Sequence, residues 1–335
     1  MRNKQMLFLL FLVLFLSLLV GFTMKPVVAE AAPKYTFWFV SHIGPADPNM
    51  KWLTKAIEDF EKRYPEVSVK YVAPEQFSVK EQLEYLETAI AAKPDGLIVP
   101  ITDPTALEDT LKRAIDAGIP VIASNIEDPR KPPEKIPYLT YVGGDEYQTG
   151  YKLGERLLKE ITPKHVLIAI PHVGHIGAEM RAKGMTDAVT TVGAKVEKLA
   201  IGDEASHAIE ALTAYLMGNP DVDAIFTTAM LASTWIYSVM EDLHRTDIKL
   251  IGVDESPCSL EGVIAGKMLA THSQGFYLQG YLPLEWLYFY LEYGFVPPPT
   301  ILVGPIIIDK SNAESFKKLA LSVFGQKTYD ELILW

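Results

Sequence analysis

The 335 residues are enough for two domains of ordinary size. Hydrophobic residues make up 49% and charged ones 22%, as in a globular protein with a large core. The formal net charge of -11 argues against a nucleic-acid partner, which requires a basic face.

The first thirty residues read as a separate object. Arg2 and Lys4 give a positive start, 7–20 is apolar apart from Ser17, and Ala29-Glu30-Ala31 supplies small residues at signal-peptidase spacing. Residues 1–31 are therefore expected to be a signal peptide, cleaved after Ala29 or Ala31. The alternative is an uncleaved anchor, but the apolar run is shorter than the roughly 20 residues a spanning helix needs. Cys258 is the single cysteine, so no intramolecular disulfide forms, and it lies far from the cleavage site, so it offers no lipid attachment there. The expectation is a periplasmic protein that is not a lipoprotein.

From residue 35 strand-like and helix-like stretches alternate. The first strand is 35–40. Asp47-Pro48 reads as the N-cap and first-turn Pro of a helix with Leu53, Ala56, Ile57 and Phe60 on its apolar face. A strand at 67–72 follows. Ser78-Val-Lys-Glu81 is a capping box opening a helix with Leu83, Leu86 and Ile90 on one side. The continuous apolar run 96–101 suits a parallel strand covered on both faces. Asp103-Pro104 repeats the cap-and-Pro device for a helix ending at Gly118, and a strand follows at 120–124. The Pro- and charge-rich stretch 128–137 reads as a surface loop. A second series has strands at 138–142, 166–170, 196–201, 224–228, 250–253 and 269–273. Its helices fall around 146–160, 178–191, 206–217, 232–244 and 257–265. Two such series predict an α/β protein of two similar Rossmann-like lobes, each a doubly wound parallel sheet, with ligands at the carboxyl ends of the strands. The aromatic helix around 278–292 (Tyr281, Trp286, Tyr288, Phe289, Tyr290) is read as packing on a sheet rather than as a ligand box.

The loop Ser41-His-Ile-Gly-Pro-Ala-Asp-Pro48 lacks the further glycines of a dinucleotide turn, and neither a Walker loop nor a Gly-x-Ser-x-Gly elbow appears. A Rossmann-type enzyme is thus unsupported, and no cofactor is expected. His172 and His175 form too sparse a set for a metal site and read as loop or cleft histidines. What remains is a group of polar residues at strand ends: Asn125, Arg181, Asp254 and Gln274. Asp254 has a structural alternative as a helix N-cap, which Ser256 could supply instead. Carboxylates and amides accept from ring hydroxyls, and an Arg fork donates to several oxygens, so together they suit a sugar.

The chain resembles the ribose/galactose type of periplasmic sugar-binding protein, the type I binding fold that serves ABC importers. The resemblance runs through Val40-Ser41-His42 with Asp47-Pro48, Lys93-Pro-Asp-Gly-Leu-Ile-Val99 with Thr102-Asp103, and Ala117-Gly-Ile-Pro-Val-Ile122. It continues in Gly143-Gly144-Asp145 with Gly150, Arg181-x-x-Gly184, Asn219-Pro-Asp-Val-Asp-Ala-Ile-Phe226 and Ile251-Gly-Val-Asp254. It implies a hinge of three segments near 143–145, 274–276 and 303–305. The lobes would then be 33–143 plus 276–303 and 144–275 plus 304–335.

The resemblance implies that Arg181, Asp254 and Gln274 contact a sugar, and that His42 and Asp47 face the cleft as in a related subgroup. Asn125 stands where many members have Asp, Ala229 where ribose binders have Asn, and Ile126 where Arg is frequent, which argues against ribose. Asn49 and Met50 follow Pro48 where ribose binders place aromatics. Trp52, displaced from that position, either stacks on the ligand or packs on the sheet. The expected contacts are Ser41, His42, Asp47, Trp52, Asn125, His175, Arg181, Asp254 and Gln274, with no metal. The resemblance implies a non-enzymatic monomer that delivers a monosaccharide or polyol to the permease and ATPase of an ABC importer. The alternative is a receptor-presenting protein for a furanosyl signal or nucleoside-like ligand.

Overall fold

The computed structural model describes residues 32–45 and 47–335, and Lys34–Trp335 forms one compact unit. The expected signal peptide lies outside the described residues. Among the described residues no helix is long and apolar enough to cross a membrane.

The first sheet contains β1 (Tyr35–Val40), β2 (Val67–Val72), β3 (Gly96–Val99), β4 (Val121–Asn125), β5 (Thr140–Gly143) and β11 (Thr300–Leu302), in the order β11-β5-β4-β3-β1-β2. The second contains β6 (His165–Ile170), β7 (Lys195–Ala200), β8 (Ala224–Thr227), β9 (Lys249–Ile251), β10 (Ala270–Ser273) and β12 (Ile306–Asp309), in the order β12-β10-β9-β8-β6-β7. All pairings are parallel except that of β12 with β10. These are the two doubly wound α/β lobes expected. Each has the strand order 2-1-3-4-5 with one added edge strand, so each has a switch point beside its first strand, at β1/β3 and at β6/β8.

The helices are α1 (Met50–Arg63), α2 (Val79–Ala91), α3 (Pro104–Asp116), α4 (Glu146–Leu158), α5 (Ile176–Val189), α6 (Ala205–Gly218), α7 (Ala232–Asp242), α8 (Pro257–Ile264), α9 (Phe276–Tyr293) and α10 (Ala313–Glu331). Ser78 accepts from the Glu81 amide and Asp103 from the Thr105 and Ala106 amides, so two of the anticipated N-caps form. The third does not. Helix α1 begins after Asn49, and Asp47 instead accepts from the Asn49 amide at 2.8 Å in the preceding loop. That leaves the Asp47 carboxylate on the cleft side of the loop. Strands β11 and β12 and helix α10 carry no sequence signal strong enough to place them.

Strands buried on both faces feed cores on either side of the sheets. Phe37 and Phe39 point to the side covered by α1 and α9, while Trp38 and Val40 point to the side of α2 and α3. The aromatic helix α9 packs on α1 and β4, with Leu284, Leu287 and Tyr288 buried, as the packing reading required. The chain passes between the sheets three times: after β5 into α4, after β10 into α9, and from β11 to β12.

Candidate ligand site between the lobes

The two switch points face each other. The loop after β1 brings His42 and Asp47, and the loop after β6 brings His172 and His175. The ends of β4 and β9 occupy equivalent places in the two lobes and contribute Asn125 and Asp254. Both are held at positive φ, 67° and 75°, a conformation that Asn and Asp tolerate better than other non-glycine residues. Asp254 is fixed there by β10. Its amide donates to His272 Nδ1 at 3.3 Å and its carbonyl accepts from Thr271 Oγ1 at 2.8 Å. Ser256, not Asp254, caps α8 through the Ser259 amide, so the Asp254 carboxylate is left for the cleft.

Arg181 reaches the cleft because α4 and α5 touch backbone to backbone. A Cβ on Gly150 would sit 1.9 Å from the Arg181 carbonyl oxygen, and one on Gly184 would sit 2.0 Å from that of Tyr147. This places the guanidinium against Glu146 at the start of α4: Nε donates to the Glu146 carboxylate and Nη1 to the Thr228 carbonyl at 2.9 Å. Burial works against the charge of Arg181, but the Glu146 and Asp254 carboxylates outweigh it and keep the guanidinium protonated.

Gln274 joins these groups. Its Oε1 accepts from Asn125 Nδ2 at 3.1 Å and lies 3.5 Å from Arg181 Nη2, and its Nε2 donates to Asp254 Oδ1. Asn125 Nδ2 also donates to Gln279 Oε1 at 2.8 Å, a contact an Asp could not make. Asn49 closes the ring from the first lobe, donating Nδ2 to Asp254 Oδ2 at 3.1 Å. Burial raises the Asp47 carboxyl to about 7, with the nearby Asp254 charge adding to the shift.

The lobes meet tightly around this network. A cavity of about 30 Å³ is lined by His42, Asp47, Asn125, His175, Arg181, Asp254 and Gln274, with His172, Ala229, Leu231 and Phe276 among its other walls. A neighbouring one of about 60 Å³ lies towards the mouth, between Phe77 of one lobe and His172 of the other, whose rings stack with centroids 5.0 Å apart. Such spaces hold a water or two, not a sugar ring. Thr102 O accepts from the Ile176 amide across the same interface at 3.0 Å.

Seven of the nine expected contacts thus come together. Ser41 and Trp52 do not line these cavities. Ser41 Oγ accepts from the Ile43 amide and stabilises the loop. Trp52 is buried on the inner face of α1 against Phe324, with ring centroids 4.3 Å apart, which favours its packing reading over its stacking one. Sequence reading noted Asn49 only as a departure from the aromatics of ribose binders, and it missed Phe77, Glu146 and Gln279. None had a local motif to mark it, because each acts through a partner distant in the chain. Among the described residues no group of three or more His, Cys, Asp or Glu is arranged to hold a metal ion.

Two doubly wound lobes closing on a polar cleft define a two-lobed binding fold. Residues 40–294 match the family described as periplasmic binding protein domain, and the chain belongs to that family. It is 27% identical over 247 residues to the xylose/arabinose-binding protein of Sulfolobus acidocaldarius, covering 69% of this chain and 60% of that protein. It is 27% identical over 197 residues to the D-ribose/D-allose-binding protein of Pseudomonas aeruginosa, covering 58% of this chain and 62% of that one. The chain thus matches rather less than two thirds of the length of either relative. Among solved structures, a carbohydrate transporter from Acidothermus cellulolyticus in complex with myo-inositol superposes with a TM-score of 0.78. It is 25% identical, and the match covers 88% of this chain and all of that one.

Proposed function

We propose that this protein is the exported solute-binding component of an ABC-type importer, binding a monosaccharide or polyol between its lobes without chemically altering it. The observation that carries this reading is the cleft's polar ring, Asn125, Arg181, Asp254 and Gln274, together with a buried polar atom on the cavity wall that finds no partner in the protein. That atom is His42 Nδ1, which leaves an uncompensated cost of about 1–3 kcal/mol. A sugar hydroxyl supplies the partner it lacks. The relatives' pentose, hexose and cyclitol ligands fall in the same class.

The closed cavity is too small for a ring, so the ligand enters an open form and the lobes then close. The three crossings near 143–145, 274–276 and 303–305 are the proposed hinge, dividing the chain into 33–143 plus 276–303 and 144–275 plus 304–335. The closed monomer would then present the sugar to the importer's permease and ATPase in the periplasm. The replacement of Asn, Asp and Arg by Ala229, Asn125 and Ile126 favours a ligand other than ribose. A thermal-shift screen of D-xylose, L-arabinose, D-allose, D-galactose, myo-inositol and adenosine tests the reading. One or more of the sugars or myo-inositol should raise the midpoint, because a ligand of the folded state alone stabilises it. A flat response to all of them would refute it, and a response to adenosine alone would turn the reading towards nucleosides.

A further inference from the structure

His42 and His175 belong to opposite lobes, yet their Nε2 atoms lie 3.4 Å apart. The Ala178 amide donates to His175 Nδ1 at 3.2 Å, at the N-terminus of α5. A nitrogen that accepts carries no proton, so a neutral His175 has its proton on Nε2. His175 Nε2 must then donate to His42 Nε2, which accepts and is itself bare. A neutral His42 therefore carries its proton on Nδ1. The reverse assignment would put a proton on His175 Nδ1, facing the Ala178 N–H.

We infer that His175 is a positioning residue: it fixes the tautomer of His42 across the closed interface, so that His42 presents an Nδ1–H donor to the ligand. His42 lines both cavities, is 9% exposed, and its Nδ1 meets no protein acceptor. The groups around the pair preserve neutrality. Phe77 packs against His42 and His175, the Arg181 guanidinium supplies positive charge nearby, and Asp47 shares the lining. Burial, with the Arg181 charge adding to it, holds both histidines far below their ordinary range.

The ligand must therefore offer an oxygen lone pair at the position facing His42. That ligand half of the inference rests on the binding role proposed above; the tautomer half does not. Because the donor is defined only when His175 is in place, it belongs to the closed form and favours closure over a correct ligand.

The test is a long-range ¹H–¹⁵N correlation spectrum of histidine-labelled protein at pH 7.5, recorded alone, with D-xylose and with myo-inositol. Single His→Gln variants assign the rings. In the wild type His42 should be protonated at Nδ1 and His175 at Nε2. His175→Leu should return His42 to the Nε2–H form and lower affinity for whichever sugar binds about tenfold, the loss of one hydrogen bond. His175→Gln should keep the Nδ1–H form and most of the affinity, because its amide N–H replaces the donor. A melting curve for each variant separates misfolding from loss of the donor. Finding His42 as Nε2–H in all three wild-type samples, or unchanged in His175→Leu, overturns the inference. The expected tautomers with no response to any sugar would sustain the relay and overturn the binding reading instead.

Discussion

The pair Arg181–Glu146 offers the sharpest energetic test of the site. Both side chains are buried, with relative exposures of 7% and 4%, and Glu146 Oε1 has no hydrogen-bond partner. Glu146→Gln removes the compensating charge while its amide oxygen still accepts from Arg181 Nε. Removing one partner of a buried pair costs roughly 3–5 kcal/mol. The low end, about 3 kcal/mol, is expected here because the Asp254 carboxylate still offsets Arg181. For a chain of this length that is a fall in Tm of roughly 6 °C. Arg181→Met should cost a similar amount, by stranding Glu146. The double variant Glu146→Leu with Arg181→Met replaces both charges by apolar groups and should return to within about 1 kcal/mol of the wild type. Sugar binding should be absent from both variants that lack Arg181. Calorimetric melts of the four proteins decide the matter. A Glu146→Gln protein that melts within about 1 °C of the wild type would show that the pair does not carry the energy assigned to it.

Trp52→Phe should leave the affinity for sugar unchanged, since the indole lies in the core against Phe324; a loss of tenfold or more by titration calorimetry would return it to the ligand site. Asp254→Asn should abolish the sugar-induced thermal shift yet keep the midpoint of the free protein within a few degrees, and a retained shift would displace the proposed site. Stability should rise as the pH falls towards about 6.5 and then level off, from two opposing sets of groups. Asp47 and Glu255 are raised to about 7 and Asp203 to about 6, chiefly by burial, whereas carboxyls in the unfolded chain titrate near 4. The folded state therefore takes up their protons first, and stability rises as the pH falls through 7. Burial lowers His42 to about 3 and His172 to about 4, and holds His175 and His272 well down, whereas histidines of the unfolded chain titrate near 6.5. Below that value the unfolded chain binds protons at these four positions that the folded state does not, which offsets the gain at the carboxyls, Glu146 and Asp254 among them, and the rise levels off. A stability that climbs as steeply between pH 6 and pH 5 as between pH 7.5 and pH 6.5 would contradict this.

Much of the fold was legible because both lobes obey the same local rules. Buried parallel strands are continuous apolar runs, and caps such as Ser78 and Asp103 mark helix starts wherever they serve only the helix. The reading slipped where a capping residue serves the cleft. Asp47 has the composition of an N-cap, but α1 begins later and the carboxylate is turned to the site. Asp254 was ambiguous for the same reason, and Ser256 resolves it. Residues such as Glu146 and Gln279 were invisible, since their role exists only once α4 meets α5 and α9 meets β4. Trp52 shows the opposite limit. An aromatic near a cleft loop cannot be assigned from spacing, because the same helical face that approaches the site also builds the core.

The equivalence of the lobes also explains why the cleft is built as it is. Equivalent strand ends put Asn125 opposite Asp254, and equivalent switch points put His42 opposite the His172–His175 loop. Two identical sets would place like groups against each other, so each pair needs asymmetry to close. At β4 and β9 it comes from an amide facing a carboxylate, with Gln274 bridging them as acceptor to one and donor to the other. At the switch points it comes from tautomers, with one imidazole capped by the Ala178 amide and the other left with a free nitrogen. Replacing Asn125 by Asp would put a second carboxylate beside Gln274 Oε1 and Gln279 Oε1, acceptor against acceptor. The Asn at that position therefore lets the two strand ends meet across the cleft and, on the proposed function, also restricts which ligand fits.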